Sequence, residues 1–139
     1  MELDALARAS EGFNAHGASL ALISPQLVTH NLEFGKEKKL AVPILSDPGN
    51  AVAALYGLRW TVPEKLKQLY QKFGIDLPRH NGDETWTLPM PARLIIDRDR
   101  IVRHAEISLD HTVRPDPEDT LFALKELQCA YPDKKACDV

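Results

Sequence analysis

Thiols, imidazoles and one arginine beside a proline pair are the groups in this chain whose chemistry could reach beyond packing. There are two cysteines, Cys129 and Cys137, both near the C-terminus. Their spacing is not Cys-x-x-Cys, and no four-ligand set of cysteines and histidines accompanies them, so neither a metal site nor a disulfide framework is expected. As redox groups they would act as thiolates, which a helix N-terminus or a neighbouring cation must activate. Cys129 falls one heptad after Phe122 and reads as a small buried hydrophobe. Cys137 has an acidic neighbour, Asp138, in place of an activating cation, and reads as an inert tail residue. His16, His30, His80, His104 and His111 show no paired ligand spacing. His104 and Glu106 alternate onto one strand face, more readily as a solvated pair than as a general base. Arg93 stands two residues after Pro91 and could hold an anion beside Met90 and Pro91, but a salt bridge to Glu106 or Asp97 is the plainer reading. No glycine-rich phosphate loop and no Ser/His/Asp arrangement is present, so no cofactor is expected.

The elements that must position these groups follow from periodicity and punctuation. Leu3, Leu6, Ser10 and Phe13 repeat at helical spacing, so a helix is expected from Glu2 to His16, closed by Gly17. Ser19 to Ile23 is a compact apolar strand. Ser24 then reads as the cap of a second helix with Pro25 at its first position, Leu27, Val28, Asn31 and Leu32 on one face, and Gly35 as its stop. Val42 to Leu45 is a short strand whose Pro43 argues for a sheet edge. Asp47 and Pro48 open a helix that Gly57 ends. A loop through Trp60 leads to a helix from Pro63 to Phe73, stopped by Gly74, and Asp76 to Glu84 reads as loop around the turn signal Asn81-Gly82. Trp60 and Trp86 are read as packing rather than as a ligand platform. Two apolar runs split by Asp97 to Arg100 form a β-hairpin entered at Pro91, and Asp116-Pro117-Glu118 caps a last helix running to about Cys129. The order is α-β-α-β-α-α-β-β-α, a sheet covered by helices.

Leu88-Pro89-Met90-Pro91-Ala92-Arg93-Leu94-Ile95-Ile96-Asp97 resembles the cis-proline segment of thioredoxin-fold proteins of the peroxiredoxin-like (alkyl hydroperoxide reductase/thiol-specific antioxidant) family. Ile23-Ser24-Pro25-Gln26, Leu45-Ser46-Asp47-Pro48, Tyr70 to Pro78 and Asn81-Gly82-Asp83-Glu84 resemble family segments in the family's order, so the likeness runs from about Leu3 to Leu127. It implies a thioredoxin-like three-layer α/β/α fold with a mixed sheet, N-terminally truncated, and a cis Met90–Pro91 bond. In the family a strand and a Thr-x-x-Cys loop precede the helix matching Glu2 to His16. Both would lie before Met1, and the peroxide-attacking cysteine with them. Arg93 and Arg100 depart from the family, which more often has a small or β-branched polar residue and a glycine at those places. The absent strand would be the central one, so its loss is expected to split the sheet into two ribbons with open edges and to favour a homodimer.

With 139 residues, 44% hydrophobic and 27% charged, the chain has room for one domain, taken as 1–130 with a tail at 131–139. The net charge of -3 gives no pull toward nucleic acid or an anionic membrane, and no apolar run is long enough to cross a bilayer, so a cytoplasmic protein is expected. The leading expectation is an antioxidant or oxidoreductase-family protein without independent peroxidase activity. The alternatives are a thiol-dependent peroxidase represented by a truncated chain, and a noncatalytic module that holds a protein or thiol partner at a surface around Met90, Pro91 and Arg93.

Overall fold

The computed structural model describes residues 2–109 and 116–131. His111 and Cys137, with the tail read from the sequence beyond Tyr131, lie outside the described residues. The chain divides into two compact units, one made of residues 1–20 with 92–139 and the other of residues 21–91.

In the first unit, helix α1 (Glu2–Ala15) is followed, after the whole second unit, by strands β5 (Ala92–Ile96) and β6 (Val102–Ile107) and helix α6 (Pro117–Ala130). The helical spacing read for α1 places Leu6 and Phe13 in the core, where α6 contributes Leu124. Gly12 permits the close approach of the two helices, because a Cβ there would stand 3.1 Å from Leu121 Cδ2. The N-terminus of α6 is capped as expected, with the Asp116 carboxylate accepting from Glu118 N at 3.0 Å and Pro117 in the first turn. Phe122, expected on the packed face of α6, is instead 65% exposed.

The second unit runs β1 (Leu22–Ser24), α2 (Val28–Glu37), β2 (Ile44–Ser46), a 3₁₀ turn Pro48–Asn50, α3 (Ala51–Leu55), β3 (Arg59–Thr61), α4 (Glu64–Lys72), α5 (Leu77–Asn81) and β4 (Thr87–Pro89). Strands β1 and β2 are parallel, with Leu22 opposite Ile44 and Ser24 opposite Ser46. Strands β3 and β4 form an antiparallel pair, and β3 lies where the sequence predicts a loop through Trp60. Three residues on each side give too little periodicity to be seen. Helix α5 was also read as loop. Asp76 caps it by accepting from Arg79 N at 3.1 Å, and Pro78 lies in its first turn.

Ser24 does not cap α2. Its backbone belongs to β1, its hydroxyl accepts from Gln26 N at 3.2 Å, and the helix begins at Val28 rather than at Pro25. Gly35 does not stop α2 either. The helix continues to Glu37 and closes with Leu40 N on Gly35 O and Lys39 N on Lys36 O, with Lys39 at φ 51°. Gly74 closes α4 by the same pair of bonds, from Ile75 N to Tyr70 O and from Gly74 N to Gln71 O, at φ 72° where no Cβ interferes. A lysine in that conformation costs about 1–2 kcal/mol, so α2 ends against the local preference of its residues.

The sheet is in pieces, each of two strands: β1 with β2, β3 with β4, and β5 with β6. Among the described residues the strands thus form three pairs, where two ribbons are expected from the resemblance. Pro43 precedes β2 and gives its carbonyl to Leu22 N at 2.9 Å, consistent with the edge position read from the proline. Among the described residues no peptide bond is cis, so the expected cis Met90–Pro91 bond is corrected to trans. Met90 N donates to Leu58 O at 2.7 Å and prolongs the β3–β4 ladder up to Pro91, and trans is the isomer that X-Pro bonds favour by about 0.5–1 kcal/mol unless a tight turn selects otherwise.

The hairpin β5–β6 turns through Asp97 to Arg100 as expected, with Arg93 opposite Glu106 and Ile95 opposite His104. Arg100 stands at φ 65°, where the resembled family has glycine. The Asp97 side chain holds this turn by accepting from Ile101 N at 2.9 Å and Arg103 Nε at 2.6 Å. The Ile101 amide first, and then the Arg103 guanidinium, lower the pKa of Asp97 below its ordinary value. A depressed carboxylate contributes stability that is present above its unfolded pKa of about 3.9 and is lost as pH falls through the folded value. Asp97→Asn should therefore lower the denaturation midpoint at pH 7, and the gap to wild type should narrow at pH 3. Chemical denaturation at both pH values checks this, and an undiminished gap at pH 3 contradicts it.

Candidate functional site

The charged groups singled out in the sequence meet where β5, β6 and α6 come together. Arg93 on β5 and Glu106 on β6 are register partners, and Ile95 is opposite His104, so Arg93, His104 and Glu106 share one face of the hairpin. Thr120, on the second turn of α6 and 4% exposed, faces them. Arg93 Nη1 donates to Thr120 Oγ1 at 2.7 Å, and Thr120 Oγ1 donates onward to Glu106 Oε2 at 2.9 Å. Arg93 Nη1 is 4.0 Å from the same carboxylate oxygen. The salt bridge to Glu106 read from the sequence is present, with a hydroxyl set between its ends. Arg103, rather than Arg93, pairs with Asp97.

His104 Nε2 is buried 3.2 Å from Glu106 Oε1, without the alignment of a hydrogen bond. The pair read as solvated is thus partly enclosed. Arg93, Thr120 and Glu106 together could stabilise an anion or withdraw a proton from a hydroxyl in an open cleft. Here Thr120 is covered, and both of its hydrogen-bond partners come from the hairpin. The arrangement acts as a polar strut that fixes α6 on the sheet face, worth most because an unsatisfied member would be left buried.

Met90 continues the β3–β4 ladder in the second unit, while Arg93 belongs to the first unit and is turned to Thr120 and Glu106. Cys129 is exposed in the last turn of α6, which corrects its reading as a buried hydrophobe. The last turn of α6 extends past Leu124, its buried contact residue, so a position one heptad from Phe122 follows Phe122 outward. Trp86 is 8% exposed at φ 52° and packs as expected, with Lys67 Nζ 5.2 Å above its ring. Beside it is an open groove of about 780 Å³ whose charged lining, Lys67, Arg79, Asp76 and Glu84, mixes both signs and selects neither.

Sequence reasoning missed Thr120, which looks like an ordinary helix residue. It missed the pairing of His30 with His80 as well, whose rings lie 5.1 Å apart, centroid to centroid. Among the described residues no group of three metal-ligating side chains surrounds one point, and no helix is long and apolar enough to cross a membrane. Thr120→Val, which keeps the shape and removes the hydroxyl, should take away the hydrogen bonds to Arg93 Nη1 and Glu106 Oε2 and cost about 1–3 kcal/mol. Urea denaturation measures it, and a change within about 0.3 kcal/mol would show the strut to be dispensable.

The family model described as the AhpC/TSA family matches residues 1–105, about three quarters of the 139 residues. Among curated proteins none matches. A solved structure, the crystal structure of peroxidoxin BcpB from Mycobacterium tuberculosis, is similar with a TM-score of 0.65 and 20% identity, over 91% of this chain and 68% of that one. At that identity the likeness concerns the fold, whose mixed helices and small sheets are thioredoxin-like. With the family model covering most of its length, the chain belongs to the AhpC/TSA family and carries a peroxiredoxin-like thioredoxin fold.

Proposed function

We propose that these 139 residues form a peroxiredoxin-like protein of the antioxidant and oxidoreductase family that does not reduce peroxides on its own thiols. The observation that carries this reading is the placement of Cys129, exposed in the last turn of α6. A peroxide-attacking thiolate is served by a helix N-terminus and a nearby cation. The N-terminal segment of α1, which corresponds to the helix headed by the attacking cysteine in the resembled family, reads Glu2-Leu3-Asp4. None of these residue types carries a nucleophile that could attack an oxygen–oxygen bond. Arg93, the cation nearest the proline pair in sequence, is engaged with Thr120 and Glu106.

A second reading, a thiol-dependent peroxidase of which this is a part, is favoured by the coverage of the similar peroxidoxin chain, of which 68% is matched. A coding sequence upstream of Met1 that continues in frame through a strand and a Thr-x-x-Cys pattern would favour it over the first.

We also propose that the chain pairs with a second copy. Support comes from the three two-stranded sheets, in which each strand hydrogen-bonds along one side within its sheet. Ile23 and Leu45, register partners on one face of β1–β2, are 57% and 51% exposed, and Val28 and Leu32 on α2 are exposed as well. Open strand edges beside apolar surface are sites of further pairing.

Two measurements follow. Hydrogen-peroxide turnover with a dithiol reductant should stay at the rate without protein, and sustained turnover abolished by Cys129→Ser or Cys137→Ser would place the chemistry at the C-terminus and overturn the first reading. Light scattering at micromolar concentration should give the mass of a dimer, and hydrogen exchange should show β1 or β5 amides protected on the side away from its own partner strand. A monomeric mass with those amides protected would mean that each chain closes its own edges.

A further inference from the structure

His30 and His80 are 50 positions apart in sequence, on α2 and α5, yet their rings lie 5.1 Å apart between centroids with planes inclined at 40°. Their neighbourhood is held by backbone. Leu27 N, just before α2, donates to His80 O at 2.9 Å, and Leu27 packs so tightly on Gly82 that a Cβ there would meet Leu27 Cδ2 at 2.7 Å. The His80 ring also has one nitrogen accounted for. His80 Nδ1 stands 2.7 Å from Asp76 O, a carbonyl that can only accept, which fixes the proton on Nδ1 and leaves Nε2 as a lone-pair donor. His30 Nδ1 is 3.9 Å from the Glu33 carboxylate, beyond hydrogen-bond distance, so neither nitrogen of that ring is committed by this contact.

A metal-binding imidazole is held as His80 is, with the second nitrogen turned to a backbone carbonyl that sets its tautomer. The ring separation agrees. With a metal–nitrogen bond of about 2.0–2.1 Å, each ring centroid stands about 3.2 Å from the metal, and two imidazoles at a tetrahedral angle have centroids about 5.2 Å apart.

We propose that His30 and His80 supply the two protein ligands of a site for a late first-row divalent metal ion, the class that imidazole nitrogen favours. Because no three ligating side chains surround one point among the described residues, water fills the other positions. The site is independent of thiol chemistry, so it stands or falls apart from the functional reading above.

The test is zinc-ion titration calorimetry on the full chain carrying Cys129→Ser and Cys137→Ser, which removes the thiols as competing ligands. One zinc ion per chain is expected, with His30→Ala and His80→Ala each weakening it at least tenfold. Should His80→Ala fail to fold for want of its Asp76 contact, His30→Ala decides the question, with its circular dichroism as the folding control. Zinc should also shift the imidazole NMR signals of His30 and His80 together. Unchanged affinity in His30→Ala, no zinc binding by the parent chain, or shifts confined to His16 and His104 would each overturn the proposal.

Discussion

The second unit depends on the buried carboxylate of Asp47, which is 4% exposed. Its two oxygens accept from Val52 N and Ala53 N at 2.9 Å each, while its own N–H donates to Ser24 O and its carbonyl accepts from Asn50 N. One residue thus extends the parallel ladder of β1 and β2, turns the chain, and starts α3. A five-residue helix cannot nucleate alone, and burying a carboxylate without partners is costly. The two requirements resolve each other, because the first amides of α3 need acceptors and the positive end of its dipole suits the carboxylate.

From this corner the support passes to β4. Asn50, 1% exposed and at φ 54°, donates through Nδ2 to Thr87 O and Thr87 Oγ1. Thr87 Oγ1 lies 3.0 Å from Thr85 Oγ1, which donates to Asp83 Oδ2. Since the carboxylate can only accept and the amide nitrogen can only donate, the hydroxyl protons must all run toward Asp83, and each bond polarises the next. Short strands are therefore held by side-chain networks here, where a broad sheet would use its ladder. The strut of Arg93, Thr120 and Glu106 does the same for the hairpin and α6. In each unit one polar network is thus occupied in holding the fold.

Long periodic elements were legible in the sequence. Leu6 and Phe13 marked α1, Asp116 and Pro117 marked the start of α6, and the runs about Asp97 to Arg100 marked the hairpin. The resemblance supplied the family and the thioredoxin-like fold, which periodicity alone could not have separated from other α/β arrangements. The failures share a cause. Ser24-Pro25 and Gly35 are sound local signals for the start and stop of α2, but the first is overridden by the ladder bond from Asp47 N to Ser24 O. The second is overridden because the helix runs on to Glu37 and closes through Lys39 at φ 51°. Three-residue strands and a five-residue helix carry too few side chains to show a period, so β3, β4 and α5 stayed hidden.

The site residues were legible to the extent that their partners lay in the same element or its immediate neighbour. Glu106 could be read opposite Arg93 because a hairpin fixes its own register, and the Asp97 turn could be read because its span is four residues. Thr120 enters the same cluster from a helix 27 positions after Arg93, and no spacing rule connects a helix residue to a strand face that its own stripe must first be docked upon. His30 and His80 are brought together by a single backbone bond from Leu27 N to His80 O, which exists only because α5 forms where the sequence suggests a loop. Chemistry that spans elements inherits the uncertainty of the weakest element between them. For both clusters that element is set by capping and turn geometry rather than by hydrophobic period, and the constellation becomes visible only once the turn is built.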